Sequence, residues 1–476
     1  MTTGAHMMTS ARRHRSGPGG FTIAASLLVV GVLAAQQPPQ PAAPAQQQPS
    51  EVGARITGDS PLTPPHYAVP DFVALTPNAT PIAQMLAQVL WDDLNFEREF
   101  DMIPRDVYKS IPVARSVEQV PFASWREIGA DGVFFGSVEQ KGNDVVVQVR
   151  LYNVRTRAQV FGQEYTIAAR SARRIAHEVA DTVHQQQRGV RGVARTRLTF
   201  VSDRVRESLL GTVEKRNAKE IYVVDYDGAN EIRITNSRDL NLNPSWSHDA
   251  RAIVYSAFRH GGPPDLLISY ITTGVLQDLT KGRFARNGGA SLPVFSPDGR
   301  RIVFHATAEN ASAPDLYVIN TDGTNMRRLT THPDSDTTPT WSPSGTEIAF
   351  TSDRTGKPQI YIMSAEGTGP QRRLPIPDAE ADRATWAPAP FNEIAYSARN
   401  GPGYDIKIHE LATGQTRQLT FSEGTNESPA YSPSGRHLAF TSSRSGLVQV
   451  FTIGRDGNGL RQVTRTGNNQ TPDWSN

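Results

Sequence analysis

Cysteine is absent from all 476 residues. That gap excludes disulfide cross-links, zinc–thiolate sites, thiol catalysis and a thioether-linked lipid anchor, so the fold must hold by packing. A dominant charge sign is lacking too: 49 Lys and Arg against 47 Asp and Glu leave a formal net charge of +2, with much of the basic excess in the first fifteen positions. A nucleic-acid-binding face needs a basic patch or stripe, and nothing here resembles one. Nor is there a G-x-S-x-G elbow, a Walker loop or a Rossmann glycine fingerprint. Two His-Glu pairs, His177-Glu178 and His409-Glu410, lack a second histidine at i+4, where Asp181 and Thr413 stand, so neither forms a zinc-protease motif. The sequence predicts no catalytic residue, no metal and no cofactor.

Long apolar runs are scarce. The one present, Phe21 to Leu33, follows Arg12, Arg13 and Arg15 and precedes the small residues Ala34 and Ala35. It falls short of the roughly 20 residues that span a bilayer. It reads as a cleaved signal peptide over 1–35, which predicts export to the periplasm, with membranes met only through partners. Residues 36–65, dominated by Pro, Gln, Ala and Ser, cannot bury enough apolar surface to offset ordering entropy and read as a flexible linker.

Order is expected to resume with a strand over Tyr67 to Leu75. Thr80-Pro81 offers an N-cap and a first-turn proline for a helix on which Ile82, Met85, Leu86, Val89 and Leu90 form one stripe. A short helix around Phe122 to Ile128 then precedes three strand-like runs, Gly132 to Gln140, Val145 to Val154 and Ala158 to Ile167, that form an antiparallel meander. Ser171 is placed to cap a last helix with Ala172, Ile175, Ala176, Val179, Ala180 and Val183 on one face. These elements predict a small α/β domain over 66–188.

From 196 to 476 the chain repeats itself. Trp246, Phe295, Trp341, Trp386, Tyr431 and Trp474 sit in related contexts such as Thr-Pro-Thr-Trp341-Ser-Pro-Ser-Gly, 49, 46, 45, 45 and 43 residues apart. A period near 45 with several short alternating runs per copy is the signature of four-stranded propeller blades. The strand-two motif occurs six times, at Leu198, Ile253, Ile302, Ile348, Ile394 and Leu438, whereas the last strand one, Thr471 to Trp474, has no strand two after it. The expectation is a multidomain α/β plus all-β chain whose six-bladed β-propeller is closed by the C-terminal strand, which completes the blade begun at Leu198. The repeated aromatics are expected to wedge between sheets as core.

Tight Ser-Pro-Ser-Gly-type turns fall on one face of such a ring. Longer, variable loops (Lys281 to Ser291, Thr331 to Thr338, Phe421 to Ser428) fall on the other, which is the candidate binding surface. The position three before each aromatic is expected at the channel mouth: Asn243, Leu292, Thr338, Arg383, Ser428 and Thr471, five of them polar.

The repeat, together with Phe122-Ala-Ser-Trp125-Arg-Glu-Ile-Gly-Ala and Arg188-Gly-Val-Arg-Gly-Val-Ala-Arg-Thr-Arg197, resembles the TolB family of Tol-Pal systems over roughly 66–476. The resemblance implies a protein-binding component whose channel mouth binds the lipoprotein Pal and whose N-terminus contacts TolA, supporting outer-membrane constriction at division. It also implies that Asn287 and Asp336-Thr337-Thr338 fall in the Pal-binding region. The sequence departs from the family at Trp386-Ala-Pro-Ala-Pro-Phe-Asn, where the first hairpin must be longer, and at Glu51 to Ser60, which matches the TolA-binding stretch only loosely. The alternative is a hydrolase-like or ligand-binding propeller. Against the hydrolase stands the lack of an elbow serine, and against sugar stacking the low aromatic content of the six channel positions.

Overall fold

In a computed structural model the described residues are 55–57, 63–205, 218–259, 262–284, 288–308 and 311–476. The expected signal peptide and most of the expected linker lie outside them. The linker does not stay clear of the domain that follows: Ile56 is buried, and its backbone N–H donates to Gln187 Oε1 at 2.9 Å.

The N-terminal domain is a mixed six-stranded sheet of β1 (His66–Ala68), β2 (Val73–Ala74), β3 (Asp101–Met102), β4 (Gly132–Lys141), β5 (Asp144–Asn153) and β6 (Gln159–Ala168). Its order is β3-β1-β4-β5-β6, with β2 also on β4; β4, β5 and β6 form the expected antiparallel meander. The single strand expected over 67–75 is instead two short pieces, β1 and β2, parallel to β4. Pro70 lies in the gap, and a residue without an N–H cannot continue the ladder.

Helices α1 (Thr80–Glu97) and α3 (Arg173–Arg188) cover one sheet face, and α2 (Phe122–Glu127) lies on the other side. Neither expected cap holds. A 3₁₀ turn, Pro77–Ala79, precedes α1, so Thr80 is its first residue and its hydroxyl donates back to the Pro77 carbonyl. Ser171 likewise sits in the turn Ala169–Ser171, and α3 begins after Ala172 with no side-chain cap. The predicted apolar face of α3 is buried throughout.

The propeller has six four-stranded sheets. Blade three shows the plan: Asp336–Trp341, Glu347–Ser352, Gln359–Ser364 and Arg372–Arg373, from the channel outward. Strands one and two are joined by a tight turn in which Gly345, at φ 69°, donates its N–H to the Ser342 carbonyl. Blades one, two, four and five begin with Leu240–Trp246, Ala290–Phe295, Ala381–Trp386 and Asn426–Tyr431. Blade six is composite: the C-terminal strand Asn469–Trp474 pairs antiparallel with Arg197–Ser202, Trp474 opposite Leu198, as the repeat count predicts. The six aromatics behave as wedges. Five are buried, Trp386 packs against its cluster, and Trp341 Nε1 donates to the Val294 carbonyl of the neighbouring blade.

The two domains share one apolar core, in which residues of α1 and α3 meet Tyr226, Ala439, Val463 and Trp474. A buried polar chain crosses it. Tyr226 donates to Asp93 Oδ1 at 2.5 Å, Asp93 Oδ2 lies 2.8 Å from His177 Nδ1, His177 Nε2 lies 3.9 Å from Asp227, and Asp227 pairs with Arg173. Burial raises Asp93 to about 6, against hydrogen bonds from His177 and Tyr226. Burial pulls His177 down, but the hydrogen bond and charge of Asp93, helped by Asp227, outweigh it and leave the imidazole above its ordinary value. Burial also raises Glu97 to about 8, against the hydrogen bond from the Val193 N–H.

Two outcomes follow from this packing. Trp474→Ala removes the wedge that closes the ring and the Nε1 donation to Thr196 Oγ1, and is expected to cost about 3–5 kcal/mol in urea unfolding. Separately, Asp93, His177 and Glu97 all hold protons more tightly folded than unfolded. Stability contributed by these groups is therefore full below their unfolded pKa values and lost as pH rises through the folded ones, so it falls between about pH 4 and pH 8. Burial holds His184, His305 and His437 down at about 4, and these act in the opposite sense up to about pH 6.5, so the decline in urea midpoints should show between about pH 6.5 and pH 8, and Glu97→Gln, which stays neutral, should flatten it.

Candidate functional site at the propeller channel

Every innermost strand carries a β-bulge at the same place. The register with strand two shifts between Leu242 and Ser245, Ser291 and Val294, Thr337 and Thr340, Asp382 and Thr385, Glu427 and Ala430, and Gln470 and Asp473. The first bulged residue is in each case the position three before the aromatic: Asn243, Leu292, Thr338, Arg383, Ser428 and Thr471, at φ 54°, 54°, 45°, 54°, 56° and 47°. All six line one cavity of about 140 Å³ on the channel axis. The ring expected from the repeat is therefore real, and it is built from left-handed residues.

None of the six is glycine, and five precede proline, which itself disfavours helical backbone in the residue before it. Such strain is of order 1–3 kcal/mol per residue and persists only where neighbours over-determine it. Here they do. Leu292 N–H donates to Ser256 Oγ at 3.2 Å and Ser428 N–H to Ser397 Oγ at 3.1 Å, each hydroxyl coming from strand two of the preceding blade. Arg383 N–H donates to Asp382 Oδ1 at 2.6 Å. The bulge turns a polar side chain toward the axis that a regular ladder would not present.

Two acidic residues of this region were not singled out by the repeat. Asp382 Oδ1 lies 3.0 Å from Thr338 Oγ1 and 2.8 Å from Thr351 Oγ1, joining blades three and four at the mouth. Asp473 accepts from the Trp246 N–H at 2.7 Å, and burial raises its carboxyl to about 6. The available signal was adjacency: Asp382 directly precedes a ring position and Asp473 lies two beyond one. Around blades three and four the mouth is acidic, since Asp353 is raised by burial and further by Asp382, Asp334 and Asp336. Arg383 brings the opposite charge into the ring. The buried Thr471 hydroxyl makes no hydrogen bond among the described residues.

The remaining predicted positions divide. Asn287 lies outside the described residues. Thr337 is half-buried on strand one of blade three, paired with Thr351. Asp336 is fully buried, not surface-facing: both its oxygens accept from Arg354 Nη2, at 2.9 and 3.1 Å. The same bond recurs in blades five and six, where Arg444 and Arg204 reach Asn426 and Asn469. In all three the arginine Nε also donates to a serine of strand two, and the guanidinium lies over an aromatic pair, Phe350 and Tyr361 in blade three. Asp336 thus belongs to a structural clamp rather than to a contact surface. Of the two His-Glu pairs, His177 belongs to the interdomain chain. Asp93, His177 and Asp227 offer ligand atoms within 4.8 Å of one another, but Tyr226 and Arg173 engage both carboxylates.

The architecture is thus an α/β domain fused to a closed six-bladed propeller with a bulged, mostly polar channel ring. Residues 55–160 match the family described as the TolB amino-terminal domain, and 184–401 that described as the TolB beta propeller domain. The Tol-Pal system protein TolB of Desulfosudis oleivorans is 32% identical over 268 residues, which cover 55% of this chain and 57% of the relative. That of Anaeromyxobacter dehalogenans strain 2CP-1 is 30% identical over 302 residues, covering 63% and 64%. The chain thus spans less than two thirds of the length of these curated relatives. The crystal structure of TolB from Acinetobacter baumannii superposes with a TM-score of 0.71 at 25% identity, covering 87% of this chain and 97% of that one. The chain belongs to the TolB family.

One substitution pair separates clamp from contact. Asp336→Ala strips a buried guanidinium of its partner and should cost about 3–5 kcal/mol in urea unfolding. Asp336→Asn, the residue type at Asn426 and Asn469, should cost much less.

Proposed function

We propose that this chain is a periplasmic, non-catalytic component of a Tol-Pal system. It binds a Pal-like lipoprotein at the channel mouth and connects it to Tol proteins of the inner membrane, TolA among them, in support of envelope integrity and constriction at division. On this reading 1–35 is a signal peptide, 36–65 a tether, 66–188 the N-terminal domain and 196–476 the propeller. The observation that carries it is the convergence of six strained ring positions on one cavity, in a family whose named relatives are Tol-Pal system proteins. Bulged, left-handed residues aimed at a common point are a costly arrangement for a scaffold that only needs to close. They suit recognition of a partner segment by polar side chains.

The contact set on this reading is Asn243, Asn287, Thr337, Thr338, Arg383, Ser428 and Thr471, with Asp336 acting only through its clamp. The mature protein immobilised against envelope extract should retain a Pal-like lipoprotein. Arg383→Asn, which tolerates the left-handed backbone, should weaken that retention about tenfold or more. A control at the outer edge of blade one, Leu276→Ser, should leave it unchanged. Absence of the lipoprotein from the wild-type eluate, or equal retention by Arg383→Asn, would sink the reading.

A further inference from the structure

The two faces of the N-terminal sheet are covered differently. Under α1 and α3 lie Phe134, Val138, Val147 and Val149. The opposite face, with Val133, Phe135, Tyr152 and Val154, meets only the six-residue α2 and the segment 103–121, irregular apart from the turn Val117–Gln119. Segments of more than about 12–15 residues without regular structure are uncommon in compact domains and are usually functional. Between this cover and the sheet lies a cavity of about 250 Å³, lined by Tyr108, Ile111, Val120, Trp125, Val133 and Phe135.

Protein interiors are close-packed, and an apolar cavity of about 150 Å³ already accommodates benzene. This one has room for a body the size of an indole or a branched alkyl group. Its lining also carries charged groups at the surface. Arg105 pairs with Asp71, whereas the exposed Lys109 has no carboxylate partner among the described residues. Beside it Val113 is 63% exposed, an apolar side chain held in water at the opening. An apolar chamber with one uncompensated cation at its edge matches an amphiphile with a single negative charge.

We propose that this cavity is a binding site, separate from the channel, for a compact apolar group bearing a carboxylate. The ring or branched chain fills the space between Tyr108, Trp125 and Phe135, and the carboxylate rests on Lys109. A free arylalkanoic acid and the C-terminal aromatic residue of a peptide offer the same chemistry.

Calorimetric titration of the full mature protein tests the site with indole-3-acetate, indole, the peptide Gly-Gly-Trp and its C-terminal amide. Indole-3-acetate should bind saturably with one equivalent, and indole should bind about threefold or more weakly. Lys109→Ala, at an exposed position where folding is not at stake, should abolish that difference. Ala114→Phe, which fills the chamber from its edge, should weaken indole-3-acetate about tenfold. Saturable binding of Gly-Gly-Trp but not of its amide supports a peptide C-terminus as occupant; binding of the free acid alone supports a small molecule. No saturable heat with any of the four up to about 5 mM, or undiminished indole-3-acetate binding in Lys109→Ala, would overturn the proposal. Retention of the lipoprotein at the channel is measured separately and is unaffected by either result.

Discussion

The pairing of Asn469–Trp474 with Arg197–Ser202 is the interaction on which the rest of the propeller depends. It joins strands some 270 residues apart in sequence, through ladder hydrogen bonds, the Trp474 wedge and side-chain bonds that include the Nε1 donation to Thr196 and the Arg204 donation to Asn469. Without it, blade one would face an open edge and strand one of blade six would be missing from the ring. The channel cavity would lose Thr471, Pro472 and Asp473 from its wall, and the backbone N–H of Trp246 would lose its carboxylate acceptor. A closed ring leaves no long edge for foreign strands, and in each of these blades the outermost strand is only two or three residues long. Shape, edge protection and binding ring thus follow from one late, non-local contact.

The repeat made this closure legible because it is a counting argument: six strand-two motifs and one strand one left over at the chain end. The aromatic wedges were legible for the same reason. The left-handed conformation of the ring was not. Asn, Leu, Thr, Arg, Ser and Thr share no propensity for positive φ, and the proline after five of them argues against it. Leu292 and Ser428 are held by a hydroxyl from the preceding blade, a contact that no local window contains. Asp336 misled in the converse way. The family resemblance put it in a binding region, yet the clamp only emerges when Arg354, Arg444 and Arg204 are compared across blades. The expected caps failed because a 3₁₀ turn precedes each helix: Pro77–Ala79 leaves Thr80 as the first residue of α1, and Ala169–Ser171 takes up Ser171.

The interdomain chain was invisible to sequence for a plainer reason. Asp93, His177, Tyr226 and Asp227 are separated by up to 134 positions, and each in isolation reads as an ordinary surface polar residue. Such a chain favours one docking geometry, because sliding either domain would strand the Tyr226 hydroxyl and the Asp93 carboxylate together. Apolar packing alone, which tolerates small shifts, does not supply that definition.

The chain also lands on a particular place. Tyr226 and Asp227 directly follow Glu220–Asp225, the strand two places outward from the closing strand, so the N-terminal domain grips the blade assembled from both ends of the propeller sequence. Trp474 enters the same shared core, and the grip extends to the adjoining blade five through Ala439, Val463 and the Arg98–Asp456 pair. Blades one to five are each continuous in sequence and close their own sheets. Blade six has no such local advantage, since its strand one lies some 270 residues beyond its strand two in sequence. The bracing therefore falls where the ring depends most on non-local contacts, and docking of the α/β domain and closure of the channel ring are stabilised by overlapping sets of residues.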